Sequence, residues 1–225
     1  MYKHFLKRVF DFLLSFLGIL LSLPIWLITI IGILINDFGP IFYKSIRIGK
    51  DNKEFTMIKF RSMRVVKNDD ESSLRPEQGR IFLVGKIIRK LKIDELPQLL
   101  NIMIGDMAIV GPRPVAKHQM DIFRVGKYDE VKMVKPGLTG PAALYDYIYG
   151  DHFDDCDLDK YTKEVLPIRR ELELVYVKKC RFLFDTKMFF DTAWCVVCSI
   201  FKKTPRRLLD YLIKLAEESK NGVTQ

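Results

Sequence analysis

The sequence predicts an α+β fold in which an apolar N-terminal element, a small β-hairpin and several amphipathic helices surround one core. Three observations carry this expectation. Residues 12–35 hold no charged side chain and are long enough to occupy the hydrocarbon of a bilayer. Residues 41–48 and 54–63 are two β-prone runs around Gly49-Lys50-Asp51-Asn52. Much of the remaining apolar content recurs at helical spacing and is interleaved with basic residues.

The N-terminal element has Pro24 at its centre. Proline removes a backbone donor and clashes with the preceding turn, so it kinks or breaks a helix, and each half then reaches only about 18 Å at about 1.5 Å per residue. Lys3, Lys7 and Arg8 precede the run and Lys44, Arg47 and Lys50 follow it. Basic flanks stay on the cytoplasmic side, so a hairpin entering and leaving through one face is favoured, with a kinked spanning helix as the alternative. No small-residue cleavage site follows, which argues against a secretory leader.

In the β-hairpin, alternation sends Lys59 and Arg61 to one face and Ile58 and Phe60 to the other. The basic pair can look into a site while the apolar pair packs. Residues 66–79 are polar and turn-rich, and Asp69-Asp70-Glu71 within them reads as solvent-facing. Ile81, Val84, Ile88 and Leu91 then mark a basic amphipathic helix carrying Lys86, Arg89 and Lys90 on other faces. The next helix is expected to start at Asp94, with the carboxylate as N-cap, Pro97 in the first turn, a stripe of Leu96, Leu99, Leu100 and Met103, and a stop at Gly105. Residues 182–201 are apolar and aromatic but interrupted by Asp185, Lys187 and Asp191, which suits a helix lying in a membrane interface. Lys202, Lys203, Arg206 and Arg207 follow and can meet anionic headgroups.

With 225 residues the chain is long enough for one ordinary core, and 37 basic against 28 acidic residues leave a net charge of +9. That balance suits anionic partners. The charge is not gathered beside a helix-turn-helix or zinc-finger signature, so phosphate and lipid headgroups fit better than nucleic acid. The cysteines, Cys156, Cys180, Cys195 and Cys198, are too few for a secreted disulfide framework. Cys195 and Cys198 lie in an apolar stretch and read as packing. His118 and His152 are isolated and read as ordinary surface or core residues.

The densest chemistry runs from Arg89 through Asp94-Glu95-Leu96-Pro97-Gln98 to Asn101, Gly105-Asp106 and Gly111-Pro112-Arg113-Pro114. A carboxylate at a helix N-terminus meets free N–H groups and the positive end of the dipole, which favour its ionised form and a bound phosphate. Asp94 is thereby suited to act as an anionic nucleophile. Taken alone, the dipeptide fits a cap followed by a first-turn charge better than it fits a nucleophile.

The whole run closely resembles the signature of the bacterial sugar transferase family, the monotopic polyprenyl-phosphate phosphoglycosyl transferases. Ile58-Lys59-Phe60-Arg61-Ser62-Met63, Pro136-Gly137-Leu138-Thr139-Gly140, Tyr176-Val177 and Asp185-Thr186-Lys187 resemble further segments of that family. After Gly140 the chain departs from its relatives, reading Pro141-Ala142-Ala143-Leu144-Tyr145-Asp146-Tyr147, where tyrosines 145, 147 and 149 can stack on a ring or pack.

The resemblance implies a re-entrant membrane helix over residues 1–36, broken at Ser22 and Pro24, a cytoplasmic catalytic domain over 37–201 and a basic C-terminal helix or tail over 202–225. It implies a UDP-sugar donor, a polyprenyl (undecaprenyl) phosphate acceptor and a place on the cytoplasmic face of a bacterial inner membrane. Downstream glycosyltransferases are implied as partners. In the implied reaction Asp94, paired with Glu95, attacks the β-phosphorus of the donor, and polyprenyl phosphate then takes the sugar phosphate from the enzyme. Direct attack in a ternary complex, with the pair as base or metal ligand, is the alternative chemistry, and a non-catalytic membrane scaffold is the alternative function. Mg²⁺ is expected on Asp94 and Glu95, since it prefers carboxylate and phosphate oxygens. Arg113 is the foremost candidate for holding substrate phosphate, with Lys59, Arg61 and Arg89 beside it. Gly137 and Thr139 are expected to border the nucleotide or sugar.

Overall fold

The computed structural model describes residues 5–65, 80–149, 161–201 and 203–222. The turn-rich segment 66–79, His152, Cys156 and Lys202 lie outside the described residues.

Helix α1 runs from Lys7–Asn36 without interruption, with Pro24 inside it. The break expected at Ser22 and Pro24 is therefore not seen in the secondary structure. Proline withdraws a single backbone donor, and the turns on either side of it remain helical. Ser22 is occupied locally, its hydroxyl donating to Ile19 O at 3.1 Å.

The buried face of α1 is formed by Asp11, Ser15, Ser22, Thr29 and Ile33, while Leu21 and Ile28 are each 70% exposed on the outside. A water-soluble amphipathic helix has the opposite arrangement. Polar contacts hold α1 to the rest of the chain at both ends. Near the start, Lys7 Nζ is 2.6 Å from Asp185 Oδ2, and Arg8 donates to Met103 O at 2.7 Å. Near the end, Asn36 Oδ1 accepts from Val84 N at 3.2 Å, and Asp37 pairs with Arg61. Between them Gly18 fits against Leu99 and Gly32 against Val84.

Strands β1 (Phe42–Ile48) and β2 (Glu54–Phe60) form the expected antiparallel hairpin, pairing Phe42 with Phe60 and Ile48 with Glu54. The connection uses left-handed conformations at Asp51 and Asn52, residue types that tolerate them. Phe60, stacked on Phe42 with ring centres 5.4 Å apart, joins Trp26 and Ile33 of α1 in a small apolar cluster. Helix α2 follows as Leu83–Lys90, then α3 as Gln98–Ile104. Strand β3 (Ala108–Val110) pairs in parallel with β4 (Gly137–Thr139), with the short α4 (Met120–Phe123) in the connection.

The main core is built by α3, by α5 (Pro141–Tyr149), α6 (Leu166–Lys179), α7 (Phe182–Ile200) and α8 (Arg206–Lys220). Leu208, Leu212, Leu215 and Ala216 of α8 are buried in it, so the C-terminal helix contributes to the core. The outer side of α7 exposes Leu183, Phe190, Trp194 and Val197. Cys180, Cys195 and Cys198 are buried and unbridged, and His118 is exposed.

Candidate active site

After α2 the backbone turns through Lys92 at φ 58°, ψ 18° and enters a 3₁₀ turn over Ile93–Glu95. Helix α3 begins only after Pro97, which occupies the N-cap position. The expected start at Asp94 is thus displaced: Asp94 and Glu95 precede the helix, and neither side chain caps it. Leu96 N bonds Ile93 O at 3.1 Å and Leu99 N bonds Leu96 O at 3.0 Å, so three-residue spacing bridges turn and helix while proline sets where the α-helix starts.

Asp94 is 7% exposed, and its Oδ1 has no hydrogen-bond partner among the described residues. Burial raises its carboxyl above the ordinary value, with Lys59, Lys92 and Arg89 opposing and Glu95 adding to the rise. Glu95 moves the other way. Burial would raise it as well, but Lys59, Lys92 and Arg113 together hold it well below the usual carboxylate range, and Lys59 Nζ sits 3.0 Å from Glu95 Oε1. Neighbouring carboxyl groups pushed in opposite directions are a signature of divided roles.

Four cations therefore act on the pair: Lys59 from β2, Arg89 from the end of α2, Lys92 from the linking turn and Arg113 from the Pro-Arg-Pro segment. Lys59, Arg89 and Arg113 are sequence-expected. Lys92 is not among the residues singled out above, although its place two residues before Asp94 carried the signal. Arg89 otherwise approaches Met63 Sδ at 3.8 Å. Asn101 of the same run braces β2, donating to Thr56 O at 2.7 Å and accepting from Ile58 N at 3.1 Å, which holds the strand that carries Lys59. Arg124, paired with the fully buried Glu173, donates to Arg113 O at 3.4 Å and steadies the Pro-Arg-Pro backbone.

Three expected residues are occupied elsewhere. Arg61 is bound by the carboxylate and carbonyl of Asp37 and lies over the Phe82 ring, because β2 ends at Phe60 and Arg61 turns toward the end of α1. Gly137 is needed for backbone contact: a Cβ there would stand 2.1 Å from Gly111 N. Thr139 shares a 2.6 Å hydrogen bond with Thr192 of α7.

No group of three or more metal-ligating side chains occurs among the described residues. The orphaned Asp94 Oδ1 beside Glu95 is a hard-oxygen set that suits Mg²⁺, an ion that takes one or two carboxylates and fills its remaining positions with phosphate and water.

The bacterial sugar transferase family model matches residues 2–199. The chain is 39% identical over 194 residues to an uncharacterised sugar transferase, EpsL, of Bacillus subtilis (strain 168), an alignment covering 86% of this chain and 88% of that protein. It is 34% identical over 191 residues to a UDP-glucose:undecaprenyl-phosphate glucose-1-phosphate transferase of Klebsiella pneumoniae, covering 84% of this chain and 39% of the relative. A UDP-N-acetylgalactosamine-undecaprenyl-phosphate N-acetylgalactosaminephosphotransferase of Aeromonas hydrophila is 34% identical over 193 residues, with 84% and 43% covered. The chain thus spans about two fifths of the length of the Klebsiella and Aeromonas relatives.

Proposed function

Because the chain belongs to the bacterial sugar transferase family, we propose that it is a phosphoglycosyl transferase. It moves a sugar 1-phosphate from a UDP-sugar to polyprenyl phosphate, releasing UMP. The observation that carries this reading is the buried Asp94, with one carboxylate oxygen unpartnered among the described residues and the cations Lys59, Lys92 and Arg89 acting on it. The donor and acceptor follow the names of the Klebsiella and Aeromonas relatives.

In the proposed chemistry an Asp94 oxygen attacks the β-phosphorus of the donor. The bond from that phosphorus to the bridging oxygen breaks, UMP leaves with the bonding electrons, and a sugar phosphate remains on the aspartate. A phosphate oxygen of the polyprenyl phosphate next attacks the same phosphorus and returns Asp94 as a free carboxylate. Splitting one displacement between two anions into two steps is the advantage of covalent catalysis. Glu95, kept ionised, fixes Lys59, while Arg113 and Arg89 face the phosphate charge. Asp94 and Glu95 would hold Mg²⁺, which supplies further neutralisation of phosphate charge.

The membrane arrangement belongs to the same proposal. The exposed apolar face of α1 and the exposed aromatic side of α7 support insertion into a lipid leaflet. Helix α1 is about 45 Å long at about 1.5 Å per residue, yet both of its ends bond the same polar body. That supports a re-entrant helix with both ends on the cytoplasmic face of the inner membrane over a spanning one. Residues 37–201 form the catalytic domain in this reading, completed by the C-terminal helix. The product would be the first lipid-linked sugar of a surface glycan or glycoprotein pathway, handed to downstream glycosyltransferases.

The test is release of nucleoside monophosphate by the purified chain with Mg²⁺, polyprenyl phosphate and a panel of UDP-sugars. Release of UMP from one donor, abolished in Asp94→Asn, is the expected result. Equal release by Asp94→Asn would remove the nucleophile role, and no release from any donor would favour a non-catalytic scaffold.

A further inference from the structure

Lys92 occupies a left-handed backbone conformation, φ 58° and ψ 18°, two residues before Asp94. A lysine gains no local side-chain hydrogen bond from that conformation, which costs on the order of 1 kcal/mol for a residue with a Cβ. Backbone strain of this kind persists where the surroundings enforce it, and it gathers at functional sites.

The conformation is accompanied by a defined contact. Lys92 Nζ stands over the ring of Tyr147 in α5, 4.6 Å from its centre. The hydroxyl of the same tyrosine donates to Lys90 O at 3.4 Å, so the ring is tied to the segment that carries the lysine. The ring face attracts the ammonium but accepts none of its N–H bonds in ordinary geometry. Lys59 is committed to Glu95, whereas Lys92 has no hydrogen-bond acceptor or ion-pair partner among the described residues. Lys92 leads directly into the turn that carries Asp94 and Glu95, and both carboxylates are among the charges that act on its amine. A group here with three undirected donors suits a ligand that brings several anionic oxygens to Asp94.

We infer that Lys92 is a donor-binding residue whose ammonium contacts the diphosphate of the nucleotide sugar, and that Tyr147 is the positioning residue that aims it. The inference rests on the reaction proposed above and adds a residue to it. It also gives α5 a part in the site through a ring at its surface, while Tyr145 of the same helix is fully buried.

The experiment is equilibrium titration of the full chain, in detergent, with UDP, which reads binding without turnover. Lys92→Met is expected to weaken UDP binding about 10- to 100-fold, the range of a charge-assisted hydrogen bond to phosphate. Lys92→Arg, which keeps the charge, is expected to retain most of the affinity, and Lys92→Gln serves as a second neutral variant if methionine alters folding. Tyr147→Phe keeps the ring and is expected to bind as the parent does, whereas Tyr147→Leu is expected to lose affinity. The double variant Lys92→Met with Tyr147→Leu should be no weaker than Lys92→Met alone, because the tyrosine acts through the lysine. Additive losses would remove Tyr147 from its role. Wild-type affinity in both neutral Lys92 variants would overturn the inference and leave the proposed reaction standing. Failure of the parent chain itself to bind UDP would overturn the reaction reading for a uridine donor together with the inference.

Discussion

Lys59 Nζ lies 3.0 Å from Glu95 Oε1, joining the β-hairpin to the turn before α3 where Asp94 is buried. The bond separates the tasks of two carboxylates that are adjacent in sequence. Glu95 is an ionised brace for the cation, and Asp94 retains an oxygen with no partner among the described residues.

Breaking that bond from one side should be worse than removing both partners. Lys59→Met leaves Glu95 enclosed without its nearest cation and is expected to unfold at lower denaturant than Lys59→Met with Glu95→Gln, since an uncompensated charge costs more than a neutral pair. Chemical denaturation of both variants checks this. A double variant less stable than the single would contradict it.

Arg61 is expected to act on stability rather than on substrate. Arg61→Met and Asp37→Ala should each lose about 1.5–3 kcal/mol, the range for hydrogen bonds to charged groups, and the double variant should lose no more than the larger single one. The donor KM of folded Arg61→Met should match the parent. A raised KM at unchanged stability would return Arg61 to the site.

A pH dependence follows from Glu171 of α6. Burial alone would raise its carboxyl, but Lys127, Tyr128 and Ser219 donate to it and hold it below the ordinary value. A carboxyl lowered by folding adds stability above its unfolded value, and that addition is lost as pH falls through the folded one. The gap in unfolding midpoint between the parent and Glu171→Gln should therefore narrow from about pH 7 to about pH 3. A gap that stays constant would show that ionisation of Glu171 contributes nothing.

The two ends of α1 should be reached from one side of the membrane. Single cysteines replacing Lys3 and Lys50, in a chain otherwise lacking cysteine, are expected to react with an impermeant maleimide only when the cytoplasmic face is open. Labelling of the two from opposite sides would establish a spanning helix.

Much of this architecture was legible in local pattern. The hairpin follows from two β-prone runs around a turn, α2 from a helical stripe, and α7, as a helix, from an apolar and aromatic run. What could not be read depended on contacts distant in sequence. Alternation put Lys59 and Arg61 on one face, yet Arg61 is claimed by Asp37, whose place is set by how α1 packs. Gly137 meets the backbone at Gly111 in a parallel pairing that periodicity does not encode. Local sterics at Pro24 favour a break, yet α1 runs through it with Leu21, Leu23, Ile25 and Leu27 exposed around it. Local pattern does not mark Lys92, whose left-handed backbone no glycine advertises and whose contact is with Tyr147 of a distant helix.

The central claim is that Asp94 carries the sugar phosphate. Intact-mass and peptide analysis of the chain after incubation with its UDP-sugar and Mg²⁺, with polyprenyl phosphate withheld, tests it directly. The predicted result is a sugar-phosphate adduct on the peptide containing Asp94, formed as UMP is released, absent in Asp94→Asn and discharged when polyprenyl phosphate is added. Release of UMP only when polyprenyl phosphate is present, with no adduct at any time, would contradict the claim and establish direct transfer in a ternary complex.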